Sequence, residues 1–282
     1  MCMNNGNDIH QQVLIHSFRI PRPGIQKKVI WHFSDTHLNE YDDLSSPQEK
    51  EQAEKLAEGW PELRKFFANQ NGEPCGPELQ RSPKEHFETL MELAKTGDAL
   101  VLAGDICDSV NGANLRLIQR RLQEHLAPFL AVCGNHDTPD QIPDGLLYSR
   151  AKAPVQILDL GDMVIIGIDN SSRQVTALQN ERLEQLLQED KPVLILMHIP
   201  LSTPENAELL ESRGEYFRLD HPEAGPEVSR FRELIRDNAS RIIAVLAGHL
   251  HFGNVSQLVP GVTQYVSSQG ILGNINRYEI GE

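Results

Sequence analysis

Short blocks of consecutive apolar residues alternate along this chain with longer stretches in which apolar positions recur every three or four residues. The blocks Val29 to Phe33, Ala99 to Ala103, Phe129 to Cys133, Val193 to Met197 and Ile242 to Ala247 have strand length. Apolar on both faces, they predict parallel strands buried between other layers. Between the first two blocks, Phe87, Leu90, Met91 and Ala94 fall at i, i+3, i+4 and i+7 and predict one helix face, as do Ala53, Leu56, Ala57 and Trp60 upstream. Leu115, Ile118, Leu122 and Leu126 predict a further helix, as do Leu178, Leu183, Leu186 and Leu187, and again Val228, Phe231, Leu234 and Ile235. Turn formers from Asn69 to Pro77 predict an exposed loop, and the Pro- and Glu-rich stretch over 203–225 predicts a longer one.

Val13 to Ile20 reads as an opening or edge strand, and Val155 to Leu160 with Met163 to Asp169 as a hairpin around Gly161-Asp162. Val255 to Val259, Val262 to Ser267 and Ile271 to Ile280 predict successive antiparallel strands at the end of the chain. Parallel βαβ units followed by a β-rich tail predict an α/β architecture in which two sheets pack face to face with helices outside. The chain reads as one domain, 1–282, with a helical insertion over 40–97.

Composition narrows what such a fold could serve. With 39% apolar and 23% charged residues the chain is of the ordinary globular kind. Its 26 basic and 40 acidic residues leave a formal charge of −14, which lacks the electrostatic footprint of a protein that holds long nucleic acid. Small anions remain compatible wherever bound cations reverse the local field. Cys2, Cys75, Cys107 and Cys133 form no Cys-x-x-Cys pair, so neither structural zinc nor a disulfide framework is expected, and a reducing compartment is the plain reading. Met1 to His10 lacks the regions of a signal peptide and no apolar run reaches the length of a membrane span, so the expected location is cytoplasmic, away from the membrane.

The chemistry lies at the ends of the five blocks. Each is followed by a polar cluster: Asp35-Thr36-His37, Gly104-Asp105-Ile106-Cys107-Asp108, Gly134-Asn135-His136-Asp137, His198, and Gly248-His249-Leu250-His251. Functional groups of α/β sheets gather where strands end, so five such ends imply one shared site. Asp35 and His37 are two residues apart, as are His249 and His251; in extended backbone each pair would point to one side and could grip one ion. Carboxylate with imidazole suits manganese, iron or zinc better than calcium or magnesium, and the lack of thiolates favours a catalytic ion. Glycine before Asp105, Asn135 and His249 would let the backbone turn tightly.

In their order and spacing these clusters resemble the calcineurin-like metallophosphoesterases, whose signature runs D-x-H, G-D-x-x-D, G-N-H-D or G-N-H-E, a later His, and G-H-x-H. The resemblance extends from residue 35 to residue 251. It implies a four-layer α-β-β-α sandwich and two divalent or trivalent transition-metal ions. The first would be held by Asp35, His37, Asp105 and His251, and the second by Asp105, Asn135, His198 and His249, with Asp105 bridging. Such a pair, about 3.5–4 Å apart, clamps phosphate oxygens and activates a bridging water for in-line attack. The resemblance further makes His136 the group that protonates the leaving oxygen, with Asp108 holding its orientation.

Plainer readings cover the remaining polar residues. His32, His86 and His125 read as structural, Asp137 as a hydrogen-bond acceptor for its loop, and Cys107 and Cys133 as small packing groups. Arg213, Tyr216, Arg218 and His221 could grip a substrate, though a solvated loop explains them more simply, and Asp169-Asn170 could line the pocket or merely turn the chain. The protein phosphatases of the family read G-D-x-V-D-R-G here, and Ser109 in place of that Arg after Asp108 argues against a phosphoprotein substrate. The leading expectation is a hydrolase of small phosphodiesters or phosphomonoesters. A nuclease of the same family, which the charge opposes, and a non-catalytic scaffold on the same fold are the alternatives.

Overall fold

Apolar alternation along the strands sorts side chains to two faces, and the faces define the layers. The computed structural model describes residues 13–72, 74, 81–214 and 217–282. One sheet contains β1 (Leu14–Ile20), β2 (Lys28–Phe33), β3 (Ala99–Leu102), β4 (Phe129–Ala131) and β11 (Asn274–Ile280), in the order β1-β11-β2-β3-β4. The other contains β5 (Val155–Asp159), β6 (Val164–Ile168), β7 (Val193–Leu196), β8 (Ile242–Ala247), β9 (Asn254–Val259) and β10 (Val262–Val266), in the order β5-β6-β7-β8-β10-β9. Parallel pairing joins β2 to β3 and β3 to β4, and likewise β6 to β7, β7 to β8 and β8 to β10. The predicted hairpin of β5 with β6 is antiparallel, as is that of β9 with β10.

Ile30, Val101 and Leu130 from the first sheet share one buried cluster with Ile165, Leu194 and Leu246 from the second, so the sheets pack face to face. The opposite residues of the same strands meet helices. Phe33, Leu100 and Leu102 bury against Phe87, Leu90 and Met91 of α2 (Pro83–Ala94) and Ile118 and Leu122 of α3 (Gly112–Glu124). Ile166, Ile195 and Val245 bury against Leu183 and Leu186 of α4 (Ala177–Leu186) and Phe231 and Leu234 of α6 (Pro226–Asp237). The result is the expected four-layer α-β-β-α sandwich.

Several expectations are corrected. The last strand does not continue the β9-β10 meander: β11 crosses to the first sheet, where it lies parallel to β1 and antiparallel to β2. Its predicted start, Ile271, belongs instead to a 3-10 turn over Gly270–Leu272. In α1 (Pro47–Asn71) the buried positions are Ala53, Trp60, Arg64 and Ala68, while Leu56 is half-buried and Ala57 exposed. This helix packs on that 3-10 turn through Trp60, Ala68, Ile271 and Leu272 rather than on a sheet, which shifts its contact stripe. Leu126 lies beyond the end of α3 and Leu178 faces solvent, so neither belongs to its predicted face. A short helix, α5 (Ala207–Arg213), occupies part of the stretch expected to be loop. Cys2, Cys75, Tyr216 and the Arg213 side chain lie outside the described residues, as does part of the Asn69 to Pro77 segment. Among the described residues no helix is long and apolar enough to cross a membrane.

Candidate metal centre

The five polar clusters fall at the ends of β2, β3, β4, β7 and β8, three from one sheet and two from the other, and the structure brings them together. Their backbone is unusual. Asp35, His37, Asp105, His249 and His251 all have positive φ, at 54°, 47°, 50°, 72° and 56°. A left-handed conformation in a residue with a Cβ costs about 1–3 kcal/mol and persists where the surroundings enforce it. Here cross-loop hydrogen bonds do so: Asp35 N donates to Gly104 O at 3.0 Å, His37 N to Asp105 O at 3.1 Å and Gly248 N to His198 O at 2.9 Å. The expected extended backbone at Asp35 to His37 and His249 to His251 is therefore corrected, and the pairs behave differently.

Asp35 and His37 do share a group, completed by His251. His249 parts from His251 and joins Asp105 and His198. Within each of these groups the donor atoms lie within 4.8 Å of one another. His37 Nε2 faces His251 Nε2 at 3.0 Å, and His251 Nε2 stands 3.3 Å from Asp35 Oδ1. On the other side, His198 Nε2 is 3.3 Å from Asp105 Oδ2 and 3.1 Å from Asn135 Oδ1. Residues 28–253 match the family model described as calcineurin-like phosphoesterase. The chain belongs to the calcineurin-like phosphoesterase family. That family uses a dinuclear metal centre.

Among solved structures, a dimetal phosphatase from Danio rerio is similar over 93% of this chain and 94% of its own, at 11% identity and a TM-score of 0.59, a likeness of fold. A 5'-nucleotidase from Candida albicans is similar over 91% of this chain at 12% identity and a TM-score of 0.42, and an NAD nucleotidase from Haemophilus influenzae over 88% at 11% and 0.35. This chain spans 47% and 51% of the length of those two enzymes. No curated protein sequence matches it.

The donor set fits the family's ions on its own geometry. Asp35 Oδ1 is buried without a well-aligned hydrogen-bond donor, and two imidazole Nε2 atoms converge beside it. Two of the histidines are fixed from behind. His198 Nδ1 lies 2.6 Å from Ala103 O, and because a carbonyl only accepts, Nδ1 keeps a proton, so that the neutral ring presents the Nε2 lone pair inward. His37 Nδ1 lies 3.2 Å from Asp108 Oδ1, which fixes the same tautomer. Mixed imidazole, carboxylate and amide oxygen suits manganese, iron or zinc.

Electrostatics point the same way. Burial pushes the Asp105 carboxyl up, but the His198 charge and hydrogen bond, helped by His37 and His136, outweigh it and hold the group well below the usual carboxylate range. At Asp35 burial is likewise outweighed by His251, leaving a pKa of about 2. Burial lowers His198, yet Asp105 and Asp35 raise it to about 9, and at His37 the hydrogen bond donated to Asp108, with the charges of Asp105 and Asp35, also outweighs burial in the upward direction. Negative charge here thus favours cations, whether protons or metal.

Glycine serves these loops in two ways. Gly104 takes φ +86°, the tight turn foreseen. At Gly134 and Gly248 close approach decides instead: a Cβ on Gly134 would collide with the Asp105 carboxylate, and one on Gly248 with the Ser34 hydroxyl. Other side chains brace the same loops. Asn170 Oδ1 accepts from both His198 N and Ile199 N at 3.0 Å, pinning the turn that carries His198. Asp137 accepts from Ile106, Cys107 and Gly134 N–H groups, the loop role expected of it. Trp60 packs 5.5 Å from the His37 ring, Phe67 4.9 Å from His251 and Phe217 5.6 Å from His249, each from a segment whose aromatic residues carried no metal-site motif.

His136 stands apart from the other histidines of the centre in being open to solvent, its side chain 41% exposed. Its Nδ1 is 3.2 Å from the Asp108 carbonyl and 3.5 Å from the Asp108 carboxylate. Asp108 therefore faces both His136 and His37, and its shorter carboxylate contact is with His37. Two cavities open beside His136. One of about 790 Å³ lies under α1, along Leu56, Gly59, Trp60 and Leu63, with His37 and His251 at its floor. The other, of about 380 Å³, runs past Asn39, Asn111 and Gln141. Arg218 and His221 line neither.

Proposed function

We propose that the protein is a metal-dependent hydrolase of small phosphoesters, with one ion at Asp35, His37, Asp105 and His251 and the other at Asp105, Asn135, His198 and His249. The observation that carries this is the convergence of imidazole, carboxylate and amide donors from five strand ends, with His37 and His198 locked so that Nε2 points inward. Bound there, two ions supply Lewis acidity to the phosphoryl oxygens and lower the pKa of water. The chain supplies the rest. His136, exposed beside both cavities, reaches the leaving oxygen and hands it a proton, while Asp108 orients the ring through its carbonyl and carboxylate. α1, within the insertion over 40–97, walls the larger cavity, so we assign substrate selection chiefly to that segment. The free, buried thiols of Cys107 and Cys133 are in keeping with a reducing, cytoplasmic location, which belongs to the same proposal.

The test is reconstitution with manganese, iron or zinc, elemental analysis, and assay on bis-p-nitrophenyl phosphate and p-nitrophenyl phosphate. Two ions per chain with metal-dependent turnover is the expected result. A purified protein that holds metal but hydrolyses neither ester, or that holds none, would return the scaffold reading. Tight DNA binding that weakens steeply with salt would instead favour a nuclease.

A further inference from the structure

The two cavities meet at the site. Gln52, Asp108 and His136 line both, so a phosphoryl group held beside His136 has two directions in which to extend substituents. Their chemistry differs. The larger, along Leu56, Gly59, Trp60 and Leu63, is walled chiefly by carbon. The smaller is walled by the amides of Asn39, Asn111 and Gln141 and the Glu49 carboxylate, whose pKa is lowered by its hydrogen bonds to Ser46. Among the described lining residues Lys55 is the one lysine or arginine, so no guanidinium waits there for a second phosphate.

Gly59 marks the larger space as kept open. It lies inside a helix of 25 residues, where glycine weakens the helix relative to alanine. A Cβ at Gly59 would meet nothing within 4 Å, so packing does not demand glycine. What the bare backbone leaves is room beside Trp60.

A phosphomonoester carries one organic substituent and a diester two. We propose that the substrate is a phosphodiester with unlike limbs, an aromatic or flat apolar one along Leu56, Gly59, Trp60 and Leu63, and a polar, uncharged one beyond His136 toward Asn111. This rests on the hydrolase reading above and narrows it to one class of ester.

The metal-loaded full chain is assayed on p-nitrophenyl phosphate and on p-nitrophenyl phenyl phosphate, which share a leaving group and differ in the second limb. The diester is expected to show the higher kcat/KM, by about tenfold or more, the scale on which an apolar pocket discriminates. Gly59→Leu fills the apolar space. A monoester can still use the other cavity, whereas the diester needs both, so the diester-to-monoester ratio falls by about tenfold. Leu63→Gln, at a partly exposed position, lowers the same ratio and guards against a folding defect peculiar to the first variant; unchanged metal content in both shows the centre intact. A monoester preference in the wild type, or equal losses on both substrates in both variants, overturns the diester assignment and leaves the hydrolase standing. Inactivity of the metal-loaded wild type on both esters overturns the two together.

Discussion

Asp105 stands between the two halves of the histidine cluster, its Oδ2 beside His198 and its Oδ1 accepting the His136 N–H at 2.8 Å. In the proposed centre this carboxylate would bridge the two ions. Asp105→Asn removes the charge while keeping the shape, and we expect metal content to fall; two ions retained by elemental analysis would exclude the bridging role. His136 is the complementary case, because its ring is exposed and the proposed ligand sets do not include it. His136→Ala is expected to keep both ions and to lose roughly 10²–10⁴ in rate, most on esters with poor leaving groups. Equal losses on good and poor leaving groups would count against proton donation. The identities of these residues were legible in the sequence because each terminates an apolar strand. Their tautomers, and the second partner of Asp108, were not, since neither Ala103 nor the His37-to-Asp108 contact leaves a pattern in the chain.

Among the elements, α2 and α6 bury all of their predicted faces, because each lies flat on a sheet and its periodicity has a single cause. α1 obeys its caps instead, Ser46 with Glu49 at one end and Gly72 at φ 65° at the other, while its contacts are set by loops below it. α5 escaped notice because seven residues are too few to show a periodic face. The same division predicts how variants behave. Ser82 and Glu85 form a capping box on α2, away from the centre, so Ser82→Ala should lower unfolding stability by about 1 kcal/mol in denaturant titration without altering metal content. Gly134→Ala should do the reverse in emphasis, forcing the Asp105 carboxylate aside and lowering metal content, as elemental analysis would show. Normal metal content in that variant would mean the loop yields more readily than its contacts suggest.

For the molecule as a whole, pH acts through two opposed kinds of histidine. His32 is buried, and desolvation, only partly offset by Asp35, lowers its pKa to about 3. Unfolded, it would titrate near 6.5, so its neutral form is no penalty above that pH and an increasing one between 6.5 and about 3. At about 1.4 kcal/mol per unit, stability should fall by roughly 2–3 kcal/mol between pH 7 and 4.5 through this residue alone, and His32→Gln should flatten that slope in denaturant titrations. His198, raised to about 9, holds its extra proton in metal-free protein at neutral pH, and Asp108, Asp105 and Asp35 shift His37 in the same direction. Because a metal needs the neutral imidazole, binding should release protons and tighten as pH rises toward 9. Calorimetry in buffers of different ionisation enthalpy would show this, and heats independent of buffer would contradict it.

Local pattern alone determined the buried parallel strands, the helices laid on them and the polar residues at the strand ends, because burial and periodicity write directly into residue type. Tertiary structure decided what no short stretch encodes. It sent β11 to the other sheet, divided His249 from His251 between two donor groups, and held Asp35, His37 and Asp105 in left-handed backbone through bonds to distant loops. It also set α1 over the centre, with Gly59 and Trp60 walling the space beside His136. These are long-range contacts, and their energies depend on partners far away in the chain, so they exist only once the two sheets have closed on each other.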